Sequence, residues 1–333
     1  MRLATVSLMF AATIAAGACS GSATHQPAAA SARGYPVSVQ NCGTTVTFDA
    51  APTRAVANDI NAAEEMLALG LGPRMIGTFG VRGDGPTGQP IPAEYLAAFA
   101  KVPDISDDYF TVEKLVGLRP DFLFAGWNYG LKVGTTSTPD NLAHYGIKTL
   151  ALSESCAAVQ TGLGPITVED TYRDLSNLGV IFGAQARADE VITRMRTEIA
   201  TAQARVRGLP PVTVFDYDSG ESAPFTAGGL ATPTALLALA GGKNVFASLQ
   251  KSFTSVSWEQ VVAADPQCIL INDYGTPTAA QKQQFLETSP ITRNLTAVKS
   301  HCFLTLPYDE ITPSPRNAEA VTSLARWLHP GGA

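Results

Sequence analysis

Apolar and polar positions along this chain switch between a period of two and a period near 3.6. Pro36 to Asp49 (PVSVQNCGTTVTFD) places β-branched residues on two arms around Asn41-Cys42-Gly43-Thr44, the pattern of a β-hairpin. A strand at Ala55 to Ala57, a helix at Ala62 to Leu69 stopped by Gly70, and a strand at Met75 to Phe79 follow. Glu113 to Leu118 reads as a helix halted before Pro120, and Asp121 to Ala125 as an apolar strand. After Leu150-Ala151-Leu152 the alternation ceases, and Thr167 to Val206 keeps helical spacing with a break expected at Gly183. Its second part, Ala184 to Val206, makes one helix of about 35 Å at 1.5 Å per residue, long enough for a strut between lobes. Pro210-Pro211 ends it, and alternation resumes through Val212 to Tyr217, Thr234 to Leu239, Ser257 to Ala264, Cys268 to Asn272 and Phe303 to Leu306. The pattern predicts an α/β fold with a mostly parallel sheet in each of two lobes, residues 36–183 and 208–333, joined by a helix at 184–207.

The two lobes repeat each other. Thr111 to Ala125 (TVEKLVGLRPDFLFA) aligns without a gap on Ser257 to Ile271 (SWEQVVAADPQCILI), which matches Glu113 to Glu259 and Pro120 to Pro266. Upstream, Met66 to Ile76 (MLALGLGPRMI) aligns on Leu236 to Phe246 (LLALAGGKNVF). Each half carries these units in the same order, although the spacer between them is longer in the first.

The N-terminus changes where this fold works. Arg2 precedes an uncharged run from Leu3 to Ala18, closed by Ala16-Gly17-Ala18-Cys19, which is the pattern of a signal peptide over residues 1–18. The run is shorter than the ~20 residues of a bilayer span. Cys19 resembles the bacterial lipobox cysteine, which carries diacylglycerol, with Ala16 where that motif usually has Leu. Residues 19–35 then read as a lipidated start and an Ala/Ser/Gly-rich tether. The expectation is an exported protein anchored on the outer face of the cell membrane. Export fits the cysteines: with Cys19 assigned to lipid, Cys42, Cys156, Cys268 and Cys302 remain to form two disulfides, with three connectivities open. Cys42 with Cys156 and Cys268 with Cys302 is the pairing that keeps each bond inside one lobe.

Charge narrows the partners. The chain has 23 basic and 29 acidic residues, a net −6, and loss of Arg2 with the leader leaves 22 against 29, or −7. Nucleic acid, which requires clustered basic residues, is not an expected partner. Enzyme signatures are missing: there is no Gly-x-Ser-x-Gly elbow and no Walker-type Gly-Lys-Ser/Thr loop. Gly70-Leu71-Gly72 follows a helix and reads as a helix stop. The four histidines, at 25, 144, 301 and 329, lie far apart, so neither a resident metal nor a cofactor is expected.

Several segments, in order, resemble the class III bacterial solute-binding proteins of ABC importers, the group that serves ferric siderophores, haem and vitamin B12. They are Ala55 to Leu69, Glu113 to Asp121, Pro224-Phe225-Thr226-Ala227-Gly228, Ala240-Gly241-Gly242-Lys243-Asn244, Trp258-Glu259, Ala297-Val298-Lys299 and Pro315-Arg316. The resemblance spans about residues 36 to 330. It implies two lobes bridged by one long helix, a ligand in the cleft and no catalysis. It also implies that Glu113 and Glu259, one per lobe, dock on arginines of a dimeric permease.

In such sheets ligands sit at the carboxyl ends of strands. The candidates there are Asn58, Phe79, Arg82, Tyr109, Trp127 and Tyr129 in the N-terminal lobe, with Tyr217, Phe225, Phe253, Tyr274, Tyr308 and Arg316 opposite. So many aromatic residues suit a large ligand with flat, partly apolar faces. Arg82, Lys132 and Arg316 are placed to meet an anionic edge, an ion pair with Asp309 being the alternative for Arg316. The expected function is capture, by a monomeric lipoprotein, of a ferric siderophore whose metal arrives with the ligand. Haem or a cobamide is the alternative within the group, with Tyr217, Tyr274 or Tyr308 as haem ligand. A surface-anchored hydrolase or adhesin is the alternative outside it.

Overall fold

The computed structural model describes residues 34–81 and 91–331. The leader, Cys19 and Arg82 lie outside these residues. The chain opens with the expected hairpin, β1 (Val37–Asn41) antiparallel to β2 (Thr44–Phe48), turning at Cys42 and Gly43 with φ of 45° and 79°. Positive φ at both turn positions matches the twist of the arms.

The N-terminal lobe continues with β3 (Ala55–Asn58), α1 (Ile60–Ala68), β4 (Met75–Phe79), α2 (Leu96–Phe99) and β5 (Asp104–Ser106). Then come α3 (Val112–Gly117), β6 (Phe122–Trp127), β7 (Gly130–Leu131), α4 (Pro139–Ala143) and β8 (Lys148–Ala151). The strands lie in the order β5-β4-β3-β6-β8, all parallel, with two-residue β7 against the end of β6. Every residue of β3 and β6 is buried, as expected of strands covered on both faces.

Two helices then run back to back, α5 (Val168–Phe182) and α6 (Gln185–Val206). Gly183, at φ 69°, ends the first in the left-handed conformation that a side chain disfavours. Ala188, Val191, Ile192, Met195, Ile199, Ala202 and Val206 form the buried stripe of α6, whose 22 residues span about 33 Å. Arg187 Nε donates to Ala68 O at 2.9 Å, tying one end to α1. At the other end Arg205 Nη2 donates to His329 O at 3.4 Å, so α6 reaches from one lobe to the other.

The C-terminal lobe comprises β9 (Val212–Tyr217), β10 (Phe225–Ala227), α7 (Thr232–Leu239), β11 (Gly242–Asn244), β12 (Phe253–Ser255) and α8 (Trp258–Ala264). It ends with β13 (Cys268–Asp273), α9 (Ala279–Thr288), α10 (Thr296–Lys299), β14 (Phe303–Pro307), α11 (Tyr308–Ile311) and α12 (Asn317–Leu328). Its parallel sheet has the order β11-β9-β13-β14, while β10 and β12 form a separate antiparallel pair. Among the described residues, no helix is long and apolar enough to cross a membrane.

The sequence repeat is a repeat of hydrogen bonds. Thr111 and Ser257 cap α3 and α8 by accepting from the amides of Lys114 and Gln260. Arg119 and Asp265, before the aligned prolines, both take positive φ. The aligned Asp121 and Gln267 reach back in equivalent ways, Asp121 accepting from the amide of Thr53 just before β3 at 2.8 Å and Gln267 from that of Thr213 in β9 at 2.9 Å.

Both intralobe disulfides are present, Cys42–Cys156 with Cα atoms 4.9 Å apart and Cys268–Cys302 at 4.8 Å. The first fastens the hairpin turn to the segment after β8, and the second joins the starts of two adjacent strands.

Several acids are buried in this framework. Burial pushes the Asp174 and Asp216 carboxyls up to about 7, and burial with the neighbouring Asp174 charge raises Glu65 well above its usual range. Carboxyls whose folded pKa exceeds the unfolded value hold extra protons in the native state. Their contribution to stability is therefore present at low pH and declines as pH rises from about 4 through about 7. The expected result is a Tm about 5 °C higher near pH 5 than near pH 8. A thermal scan that is flat or rises over that interval would refute the assignment of these groups as the dominant titrating set.

Candidate functional site: the cleft between the lobes

The carboxyl ends of the parallel strands in both lobes converge on one cavity of about 490 Å³. The N-terminal lobe lines it with Tyr109, Asn128 and Tyr129, and the C-terminal lobe with Asp218, Phe225, Ser252, Phe253, Tyr274, Tyr308, Ile311 and Thr312. Tyr109 follows β5, Tyr129 follows β6, Asp218 follows β9, Tyr274 follows β13 and Tyr308 begins α11 directly after β14. The antiparallel pair β10–β12 delivers Phe225 and Phe253 as a stacked pair with centroids 5.8 Å apart. Phe225 is 37 % exposed, much for a phenylalanine, and so offers an open ring face.

Tight packing holds the tyrosines of the N-terminal lobe. A Cβ on Gly80, itself at φ 65°, would fall 2.6 Å from the Tyr109 ring, and one on Gly126 2.2 Å from the Tyr129 ring. Only glycine leaves room for either ring. Behind the tyrosines lies the fully buried Asp59, at φ 83° and ψ 153°, a region that residues other than glycine rarely occupy. Its Oδ1 accepts from the Ile60 amide at 2.6 Å and caps α1. Its Oδ2 accepts from the Tyr109 hydroxyl at 2.6 Å and, across the lobes, from that of Tyr308 at 3.4 Å. Burial lifts the Asp59 carboxyl to about 6, opposed by the Tyr109 hydrogen bond. Tyr129 donates to Glu154 at 3.5 Å, and burial raises that acid to about 7. Tyr274 donates to Asp218 and packs edge-on against Tyr308, with centroids 5.7 Å apart.

Of the candidates read from sequence, Tyr109, Tyr129, Phe225, Phe253, Tyr274 and Tyr308 meet in this cavity. Asn58, Phe79, Trp127, Tyr217 and Arg316 do not line it. Asn58 is fully buried behind it, donating to Tyr129 O at 2.7 Å and accepting from the Phe110 amide at 2.9 Å, and so positions two loops. Phe79 is fully buried and packs on Phe110. Trp127 lines a separate concavity of about 340 Å³ beside the hairpin. Tyr217 is enclosed with Phe215 and Trp258 in the lobe's aromatic core, because its side chain points to the opposite sheet face from Asp218. Arg316 takes the ion-pair alternative, bonding Asp309 at 2.5 Å and also Glu310. Ser252, Ile311, Thr312 and Glu154 were not anticipated. Ile311 and Thr312 follow the same β14 end that pointed to Tyr308, so the strand-end rule carried four residues further would have found them. Glu154 and Ser252 gave no comparable signal.

Glu113 and Glu259 are both exposed in the first turns of their helices, four residues beyond Tyr109 and six beyond Phe253. Lys114 Nζ lies 3.3 Å from Ser106 Oγ, to which it donates. Hydrogen bonds from its own amide and from Ser257 hold Glu259 below the usual carboxylate range. Among the described residues, no group of three or more His, Cys, Asp or Glu is arranged to hold a metal ion.

Comparison with known proteins places this architecture. The family model described as "Periplasmic binding protein" matches residues 62–310, well over half of the chain. The ABC transporter substrate-binding lipoprotein YvrC of Bacillus subtilis is 23% identical over 301 residues, covering 89% of this chain and 86% of the relative. The vitamin B12-binding protein of Vibrio vulnificus is 26% identical over 280 residues, covering 83% and 90%. A periplasmic binding protein of Veillonella parvula, of solved structure, superposes with a TM-score of 0.76 at 30% identity over 89% of this chain and 98% of that one. Two parallel-sheet lobes, one bridging helix, a cleft at the strand ends and these matches lead to one conclusion: the chain belongs to the periplasmic binding protein family, in the class III group of ABC-importer substrate-binding proteins that serves siderophores, haem and vitamin B12.

Proposed function

We propose that this chain captures a ferric siderophore in the interlobe cavity and delivers it to a dimeric ABC permease. The observation that carries this reading is the cavity itself, about 490 Å³ with both lobes contributing and a stacked Phe225–Phe253 pair at its side. A flat-faced chelate buries apolar area against such rings, while tyrosine hydroxyls meet its polar edge. In this proposal the protein works as a monomer, exported and held to the membrane by lipid on Cys19. It has no cofactor of its own, since the metal enters with its ligand, and no catalytic group. The binding-protein names of its relatives support the non-enzymatic reading over a hydrolase or adhesin.

A second ligand, a corrinoid, is favoured by the relatives named as vitamin B12-binding proteins. For haem, Tyr217 is unsuited because it is buried in the core, which leaves Tyr274 and Tyr308. Fluorescence titration of the purified protein with ferric siderophores, cyanocobalamin and haemin should identify one chelate that binds with Kd about 1 μM or tighter. Phe225→Ala with Phe253→Ala should then weaken that binding about tenfold or more, as removal of central aromatic contacts does. Unchanged affinity in the double variant would show that the ligand sits elsewhere.

A further inference from the structure

Four tyrosines line the cavity, and each hydroxyl is engaged by a carboxylate: Tyr109 and Tyr308 by Asp59, Tyr129 by Glu154 and Tyr274 by Asp218. A phenol has one hydrogen to give, and an ionised carboxylate can only accept. With their hydrogens committed to Asp59 and Asp218, the hydroxyls of Tyr109, Tyr308 and Tyr274 face a ligand with lone pairs, whereas Tyr129 pairs with Glu154, which burial raises to about 7. Thr312 is committed in the same way, its hydroxyl donating to Tyr308 O at 2.8 Å. Among the described lining residues, uncommitted side-chain donors are left to Asn128 and Ser252. Among the described residues that line the cavity there is no lysine, arginine or histidine, whereas Asp218 is itself part of the wall. Behind the wall, Lys282 lies under the Tyr274 ring at 4.4 Å from the centroid, donates to Asn272 O at 2.6 Å and interacts with the Asp218 charge.

The arrangement is pseudo-symmetric. Asp59 follows β3 in one lobe and Asp218 follows β9 in the other, and each takes the hydroxyl of a tyrosine that follows another strand of its own sheet, β5 for Tyr109 and β13 for Tyr274. Both lobes thus present acceptor-biased tyrosine hydroxyls to the same space, and the C-terminal lobe adds the Asp218 carboxylate.

We infer that the cleft selects a neutral or cationic metal chelate bearing N–H or O–H donors, and rejects chelates whose periphery is carboxylate or catecholate. An anionic edge would meet lone pairs and the Asp218 carboxylate with no cationic side chain among the described lining residues to receive it, whereas amide, hydroxyl or ammonium groups find acceptors already aligned. The inference rests on the cavity being the cargo site, and it narrows the siderophore and corrinoid readings to members of that charge class.

The test is a titration of the purified protein with four probes: ferrioxamine B, which carries a free ammonium; cyanocobalamin, which carries primary amides; haemin, with two carboxylates; and an anionic ferric tris-catecholate. At least one of the first two should bind at least tenfold tighter than both of the others. Asp218→Asn should reduce that preference, with ferrioxamine B losing most if it is the ligand. Equal or tighter binding of haemin or the catecholate overturns the inference, as does failure of both donor-bearing probes to bind. If an anionic probe binds and Phe225→Ala with Phe253→Ala abolishes the binding, the cavity remains the cargo site and only the charge selection is wrong. If a donor-bearing probe binds and that double variant has no effect, the cavity itself is misassigned.

Discussion

Replacing Cys42 and Cys156 together with alanine is expected to remove about 5 kcal/mol of folding stability, and replacing Cys268 and Cys302 about 4 kcal/mol. The difference follows from the loops the bonds close, with sequence separations of 114 and 34 residues, since the entropy withheld from the unfolded chain grows with the logarithm of loop length. The hairpin retains other anchors without its bond. Asn41 Nδ2 donates to Ala151 O at 2.6 Å and its Oδ1 accepts from the Ala151 amide at 2.7 Å. Tyr35 donates to Ile181 O at 2.7 Å. The fold should therefore survive with a lower denaturation midpoint. Urea titration of the two variants measures both losses. A larger loss from the short-loop bond, or losses below about 1 kcal/mol, would show that native-state strain or residual unfolded structure outweighs loop entropy.

Glu113→Ala with Glu259→Ala is expected to reduce ligand uptake by cells about tenfold or more while leaving ligand affinity within about twofold. Both side chains are exposed and sit at equivalent helix starts near the cleft, one per lobe, as a protein seated across two permease subunits requires. The helix-start position alone gives a glutamate a modest local role, because an acid there meets the positive end of the helix. That local role would appear as a small stability loss with normal uptake. Measuring uptake, affinity and Tm on the same variant separates the two. Normal uptake, or lost affinity, would mean that the glutamates do not dock.

Much of the fold was legible in the sequence because its central strands are continuous apolar runs and its helices carry clear stops. Met75–Phe79 and Val212–Tyr217 fall where the pattern put them, and the break at Gly183 separates two helices as expected. Three-residue strands such as β5, β10 and β12 were not legible, being too short to show a period. At the site, the strand-end rule found the residues that follow a strand but could not give their orientation. Tyr217 and Asp218 are adjacent in sequence yet face opposite ways, and only the pleat decides which one meets the ligand. Asn58 and Arg316 were legible as special residues but not in role. Polar side chains that organise the backbone behind a cleft share their composition with those that line it.

The single helix between the lobes also bears on kinetics. With α6 pinned to Ala68 at one end and His329 at the other, and Tyr308 bonded across the lobes to Asp59, the jaws have few backbone torsions with which to swing apart. A clamp held near one geometry places little conformational penalty on capture, so cargo meets a site already shaped. By the same token, opening is expected to be small, and scattering curves with and without ligand should nearly superimpose; a large compaction on binding would contradict the single-helix bridge. On the proposed function, unloading would then require the transporter to lever the two faces apart against α6.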